Sequence, residues 1–223
     1  GGIMAAGCYH GKPLVQADID VAAIRGDEKL LDEMQEYACP SFGACPSMGT
    51  ACTMQMLGEA LNLVLPGTAT IPAADNLKLR SCVEAGRFIV DQVKRGVCPQ
   101  DIVTKNVLLN TAMLDMAIAG STNAVLHLLA YSHELGLDLS LDDFDAAARQ
   151  GRCLVGVVPS GPYTVVDFHN AGGVPAVMKR LKSVLRTEEK TLLGDTWGQY
   201  LDRVTIPQGS IIRTLDQPWS DIA

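Results

Sequence analysis

The chain lacks the basic stripe that phosphate binding needs, which argues against nucleic acid as a partner. Its formal net charge is -7 over 223 residues. No acidic run accounts for that charge, so it reads as an ordinary solvated surface. The densest basic cluster is Lys179, Arg180, Lys182 and Arg186, which reads as the solvated face of a helix. No apolar stretch is long enough to span a bilayer, and no signal-peptide pattern is visible. Internal repeats and low-complexity tracts are also absent, which excludes a solenoid or array. A C-x-x-C pair is missing, so a thioredoxin-like redox motif is excluded. No Cys/His set has the close pairing of a structural zinc site.

Cysteine itself is not scarce. Seven is an odd number, in a chain too large to need disulfide staples. Several cysteines sit inside apolar, helix-like patterns, so Cys8, Cys82, Cys98 and Cys153 are expected to be packed thiols. A reducing cytoplasm is the setting this usage favours. At 48% hydrophobic and 19% charged, the chain can form one large domain, or one domain and part of a second. It opens "GGIMAAG" without an initiator Met and closes "IIRTLDQPWSDIA" just as a new apolar segment begins. Both ends read as cut, and the chain as a piece of a larger protein.

Helical patterns dominate. Gly1 to Gly11 reads as a loop. Asp18 to Tyr37 reads as helix, interrupted at Gly26 and Asp27, and Ser47 to Leu63 as another, stopped by "LPG". Asn76 to Arg95 is amphipathic, with Val83, Phe88, Ile89 and Val93 on its apolar side. "TKNVLLNTAMLDMAIAG" is apolar nearly all round and reads as buried. Ser140 caps a further short helix. "CLVGVVP" is the best strand, "SIIRTL" a weaker one, and "TVVDFHNAGGVPAVMKRLKSVL" is a turn followed by a helix from about Val174. These patterns predict an α/β fold of layered helices around a short, mainly parallel sheet covered on both faces.

The densest chemistry lies in "ACPSFGACPSMGTACTMQM". Three thiols, Cys39, Cys45 and Cys52, fall where a Gly/Pro loop turns into a helix. Cys52 lies on the helix's apolar stripe and reads as core. Cys45 precedes the helix start, where the dipole stabilises a thiolate, whether as a nucleophile or as an iron ligand. "AGSTNAV" places Ser121, Thr122 and Asn123 ahead of an apolar helix. Its backbone amides suit an anion such as a substrate carboxylate, and Ser121 or Thr122 equally suits a helix cap. His169, in the polar turn "DFHNAGG" two residues after Asp167, is the histidine best placed for substrate binding, against a structural turn bond. His127, amid "VLHLLA", reads as a core histidine.

Several of these stretches together resemble the dihydroxy-acid and sugar-acid dehydratase family, which includes phosphogluconate dehydratase. "CPSFGACPSMGTACTMQMLGEALNLVLPG" is similar to its third cluster-ligand segment. The likeness continues in "AGSTNAVLHLLAYSHELGLDLSLDDFD", "PSGPYTVVDFHNAGGVPAVMK" and "IIRTLDQPW". It implies a hydro-lyase that removes water from a 2,3-dihydroxy acid to give a 2-keto acid. It also implies an iron–sulfur cluster, of the [2Fe–2S] type, and Mg²⁺. By the same resemblance, residues 1–186 form part of an N-terminal α/β domain, and residues 187–223 cross to the start of a second, β-rich domain. Cys45 falls on the cluster ligand; Cys39 matches a cysteine that is not one. The family's other cluster cysteines, its Mg²⁺ ligands and its catalytic serine match nothing here, so no catalytic residue is assigned. An intact cluster and activity are not expected of this chain alone. "MGTACTM" looks more like the sugar-acid enzymes, which favours a sugar acid over a branched-chain dihydroxy acid. The resemblance further implies a homodimer acting on a small hydroxy acid. The competing readings are a truncated, noncatalytic module without a cluster and a thiol-dependent enzyme using Cys45.

Overall fold

The computed structural model describes residues 1–221. The last two residues of the segment expected to open a second domain, Ile222 and Ala223, lie outside the described residues. The chain begins with a small antiparallel hairpin, β1 (Gly7–Tyr9) and β2 (Lys12–Leu14), where a loop was expected. Its two-residue turn puts His10 at φ 48° and Gly11 at φ 75°. Positive φ at both centres matches the twist of the strands. A histidine at the first centre hides that signal in the sequence. Helices α1 (Gln16–Arg25) and α2 (Glu28–Gln35) follow, broken at Gly26 as expected, with Asp27 capping the second through the Leu30 amide at 3.1 Å. Leu14, Ala22 and Met34 make a small satellite core beneath them.

The main core gathers around α6 (Lys105–Ala117), the nearly all-apolar segment. It packs against α3 (Thr50–Ala60), α7 (Asn123–Glu134), α8 (Leu141–Gln150) and α10 (Gly173–Arg180). Met56, Leu57, Leu108, Leu114, Leu128 and Met178 are fully buried among them. The Ser140 cap forms a capping box with Asp143. "DFHN" is not a turn but part of a short helix, α9 (Val165–Asn170), with Thr164 and Asp167 closing its own capping box. The last helix, α11 (Trp197–Arg203), buries Trp197 and Leu201 in the same core, and Ile212 joins them.

The covered, mainly parallel sheet is not formed among the described residues. Their only sheet is the antiparallel β1–β2 pair. Parallel pairing occurs only as single-residue bridges, Ile3 with Ala44 and with Pro72, and Val157 with Tyr163. Cys153 to Val157 is extended and buried, as a central strand would be. Its backbone groups are satisfied elsewhere, however. The Leu154 amide donates to the Ala117 carbonyl at 2.8 Å, and the Leu154 and Cys153 carbonyls accept from Arg213 and Trp219 at 2.8 Å each. With those bonds made to a helix end and to the 213–219 segment, no ladder is left to propagate.

Burial corrects three further expectations. Cys8, Cys82 and Cys98 are exposed, whereas Cys52 and Cys153 are buried. His127 is exposed, not in the core. The basic cluster is tied into the fold and is not freely solvated. Lys179 donates to the Val204 carbonyl at 2.5 Å, Lys182 pairs with Asp202, and the Arg186 amide donates to Asn110 at 2.9 Å.

The largest departure is α4 (Asn76–Arg95), which precedes the short α5 (Pro99–Ile102). Its extent is as expected, from the Asp75 cap to left-handed Gly96. Its apolar side does not pack: Val83 is 53% exposed, Ile89 58% and Val93 71%, while Phe88 is half-buried. Gln92 is the helix's buried residue. The helix is therefore amphipathic by sequence but unpartnered along Leu79, Val83, Val90 and Val93. Val83→Glu with Val90→Glu is expected to shift stability by no more than about 0.5 kcal/mol per site, as for surface substitutions. Denaturant unfolding of the double variant checks this. No helix among the described residues is long and apolar enough to cross a membrane.

Candidate active site at the start of helix α3

The cysteine loop is anchored on both sides of Cys45. The Ala44 amide donates to Gly2 and its carbonyl accepts from Met4, at 2.8 and 2.7 Å. Gly43 sits at φ 126°, where a side chain would also press on the Met4 amide. After Cys45, the Pro46 carbonyl accepts from Val165 at 3.0 Å and the Met48 amide donates to Val158 at 2.7 Å. The half-buried Cys45 Sγ receives the Ser47 hydroxyl at 3.5 Å. Cys52, in the first turn of α3, donates its thiol to the Cys45 carbonyl at 2.7 Å. Burial pushes the Cys52 thiol up to about 12, so it stays protonated, as a core residue should. Cys39 is exposed, at φ 50°.

Helix α3 starts on Gly49, which has no side chain to cap it. The first helical bond runs from the Thr53 amide to the Gly49 carbonyl at 3.0 Å. The amides of Thr50, Ala51 and Cys52 find no acceptor among the described residues. Three unspent donors at the positive end of a helix form a local anion-attracting field. The Cys45 Sγ lies beside them, 3.8 Å from where a Cβ on Gly49 would stand.

The "GSTN" segment closes on this same helix end. The Ser121 amide donates to Thr53 Oγ1 at 3.0 Å, and Ser121 Oγ shares a hydrogen bond with Thr50 Oγ1 at 3.2 Å. Asn123 Nδ2 donates to Thr50 Oγ1 at 2.7 Å. Ser121 and Asn123, some seventy residues away in sequence, thus meet on Thr50, and Cys45 Sγ lies beside Gly49, the residue before it. Thr122 is exposed at the start of α7 and makes no capping bond. Ser121 does act as a cap, accepting from the Asn123 amide at 3.3 Å. The Ala124 and Val125 amides are also taken, by the Ser121 and Thr122 carbonyls. The unspent amides therefore belong to α3, not to α7 as the sequence suggested.

His169 lies apart from this cluster. Its Nδ1 hydrogen-bonds Thr70 Oγ1 at 2.9 Å, and it faces a cleft lined by Arg80, Glu84 and Arg87 of α4. Desolvation lowers its pKa, opposed by nearby Asp75, and so favours the neutral ring. No hydrogen bond among the described residues joins it to Cys45 or Ser121.

Three relevant residues carried no signal in the sequence. Thr50 and Thr53 read there only as helix positions. Asp115 read as one polar residue in an apolar helix. In the fold Asp115 is 2% exposed and its Oδ1 has no hydrogen-bond partner. Burial raises its pKa to about 7.

For a metal or cluster, the fit is partial. Cys45 offers a half-exposed thiol beside a positive helix end, which suits a thiolate bound to iron. No three His, Cys, Asp or Glu side chains converge among the described residues. At the α3 start the described residues therefore offer a single thiol, Cys45, and no complete ligand set for such a group.

Comparison with known proteins adds the following. Residues 1–200 match the model of the dihydroxy-acid/6-phosphogluconate dehydratase N-terminal domain. A dihydroxy-acid dehydratase of Dehalococcoides mccartyi is 38% identical over 213 residues, 96% of this chain and 38% of the relative. One from Halothermothrix orenii is 38% identical, covering 98% and 41%, and one from Nitratidesulfovibrio vulgaris 41% identical, covering 88% and 36%. The chain spans about two-fifths of the length of these curated relatives.

Proposed function

The chain belongs to the dihydroxy-acid/6-phosphogluconate dehydratase family, and on that premise we propose that it is the N-terminal-domain part of a hydro-lyase. The reaction is loss of water from a 2,3-dihydroxy acid to give a 2-keto acid. The observation that carries this reading is the junction of Cys45, the unspent α3 amides, Thr50, Ser121 and Asn123. In it, Cys45 would hold one iron of a cluster, [2Fe–2S] by resemblance, whose remaining ligands come from outside this chain, as do those of Mg²⁺. When bound, these groups supply Lewis-acid chemistry at the leaving hydroxyl and the carboxylate. The chain's own residues orient the substrate. The α3 amides and the hydroxyls of Thr50 and Ser121 receive its carboxylate, and the Asn123 side chain fixes Thr50.

Four finer points belong to the same reading. Residues 1–186 are the domain proper and 187–223 the crossing to a second domain, where further sheet would lie. The "MGTACTM" motif favours a sugar acid over a branched-chain dihydroxy acid. The whole protein is a cytoplasmic homodimer. His169 serves substrate binding only if the second domain carries the substrate toward the α4 cleft.

The experiment is steady-state kinetics of the longer protein carrying this chain, with Ser121→Ala. KM for the dihydroxy acid is expected to rise about tenfold, one lost hydrogen bond to a charged group, with kcat within about twofold. Lower thermal stability with unaltered kinetics would leave Ser121 as a cap only and defeat the site. Assaying a sugar acid beside a branched-chain dihydroxy acid tests the preference separately. A higher kcat/KM on the branched substrate would overturn the preference and keep the hydro-lyase.

A further inference from the structure

Asp115 has no evident reason to be an acid. It lies in the last turns of the buried helix α6, 2% exposed, and its Oδ1 has no partner. An unpaired buried polar group costs free energy that an apolar residue of similar size would avoid. Burial raises its pKa to about 7, so the fold disfavours its charged form. What it does touch is the backbone of the candidate site.

The chain turns sharply after α6. Ala119 takes φ 48°, and the Gly120 amide returns to the Asp115 carbonyl at 2.9 Å. Gly120 then rests on the Asp115 carboxyl. A Cβ added there would overlap Asp115 Oδ1, and it would meet Asp115 Cγ at 3.0 Å and Thr53 Cγ2 at 2.9 Å. The next residue is Ser121, whose amide is held by Thr53 Oγ1 and whose hydroxyl meets Thr50. Gly120 is thus clamped between Asp115 below and α3 alongside, one peptide away from the proposed carboxylate contact.

We propose that Asp115 is a positioning residue: its buried carboxyl is the floor on which Gly120 rests, and it sets the height of Ser121 and Asn123 against Thr50. This rests on the reading of the α3 start as the substrate site. The contact is steric and specific to side-chain length. Asparagine, of nearly the same shape, preserves the floor, and alanine removes it. Substrate does not touch Asp115, so the effect falls on binding through Ser121 and not on the chemical step.

The test is kinetics with the longer protein carrying this chain, on the dihydroxy acid. Asp115→Ala is expected to raise KM about tenfold with kcat within about twofold, and Asp115→Asn to keep KM within about twofold of the parent. Gly120→Ala should raise KM as well, because its methyl displaces the floor. The double variant Gly120→Ala with Asp115→Ala should bind better than Gly120→Ala alone, because the overlapping oxygen is gone. A residue that merely fills space would lower the thermal midpoint in Asp115→Ala and leave KM alone. That result, or strictly additive effects in the double variant, overturns the proposal. If Asp115→Ala does not fold, the comparison of Asp115→Asn with Gly120→Ala still decides. Unchanged KM in Gly120→Ala then counts against it. Ser121→Ala separates the two levels. If it leaves KM unchanged, the site reading itself fails. If it raises KM and the Asp115 and Gly120 variants do not, only the floor fails.

Discussion

Cys45→Ser, in the longer protein carrying this chain, is expected to remove most of the bound iron and lower dehydratase kcat by more than about 100-fold. Changes to residues that only support a metal ligand typically cost about 10- to 100-fold, and here a ligand itself is lost. The substitution is nearly isosteric, and Cys45 is held by backbone bonds on both sides, so the fold should survive it. Iron and sulfide analysis, with visible absorption of the purified variant, makes the measurement. Cys39→Ser and Cys82→Ser are the controls: both thiols are exposed, and neither lies at the α3 start. Their iron content should match the parent's. The thiol-dependent alternative predicts another pattern, in which Cys45→Ser loses activity while iron stays and substrate protects Cys45 from a thiol reagent. Unchanged iron and activity in Cys45→Ser would remove both readings of this residue.

Glu59→Ala carries the largest expected effect on stability. Glu59 is 1% exposed, in the last turn of α3. Its two oxygens accept from the Gly67 and Ala69 amides at 2.7 Å each, which fastens the loop after α3 to that helix. Removing the side chain strands two buried donors, at about 1–3 kcal/mol each, for a loss of about 3 kcal/mol in mildly acidic buffer. The loss depends on pH. Desolvation raises the Glu59 pKa from 4.5 to about 7, against the pull of the Gly67 and Ala69 amides. The folded state therefore binds the proton more tightly than the unfolded chain. The resulting stability is fully present below pH 4.5 and is lost as pH rises through about 7. That loss is on the order of 3 kcal/mol. The alanine variant has no such group, so its deficit should narrow as pH rises from 4.5 to 8. Denaturant unfolding of both proteins across that range reads it directly. A deficit independent of pH would mean that Glu59 titrates alike in the folded and unfolded chain.

Both predictions depend on contacts that local sequence shows unevenly. The helices were legible because their signals are local. Apolar spacing marked α3, an almost unbroken apolar run marked α6, and the Ser140 cap marked the start of α8. The hairpin was not, because its turn uses His10 in a left-handed conformation where Asn or Gly is the usual sign. Among the described residues the segment Cys153–Val157 builds no layered sheet, since its backbone bonds go to the Ala117 carbonyl, to residues 213–220 and to the nearby Ser160 and Tyr163. Such pairings span tens of residues and leave no periodic mark.

For the candidate site, sequence alone narrowed the reading of the cysteine loop. A thiol before a helix start, without a zinc spacing, left an iron ligand, a nucleophile or a packed thiol, and the long motifs pointed to the family. The place of Cys52 in the core was also legible, because it lies on the apolar stripe of α3, and it is buried there. Only the tertiary structure decided which parts meet. It set Ser121 and Asn123 on Thr50, 71 and 73 residues away, and held His169 apart on Thr70. It also moved the unspent amides from α7 to α3, because Ser121 and Thr122 satisfy the first turn of their own helix while Gly49 has no side chain to do the same. A residue's type and its neighbours in sequence establish what it can bond. Which donors and acceptors remain unpaired depends on contacts between distant segments, and that balance defines the site.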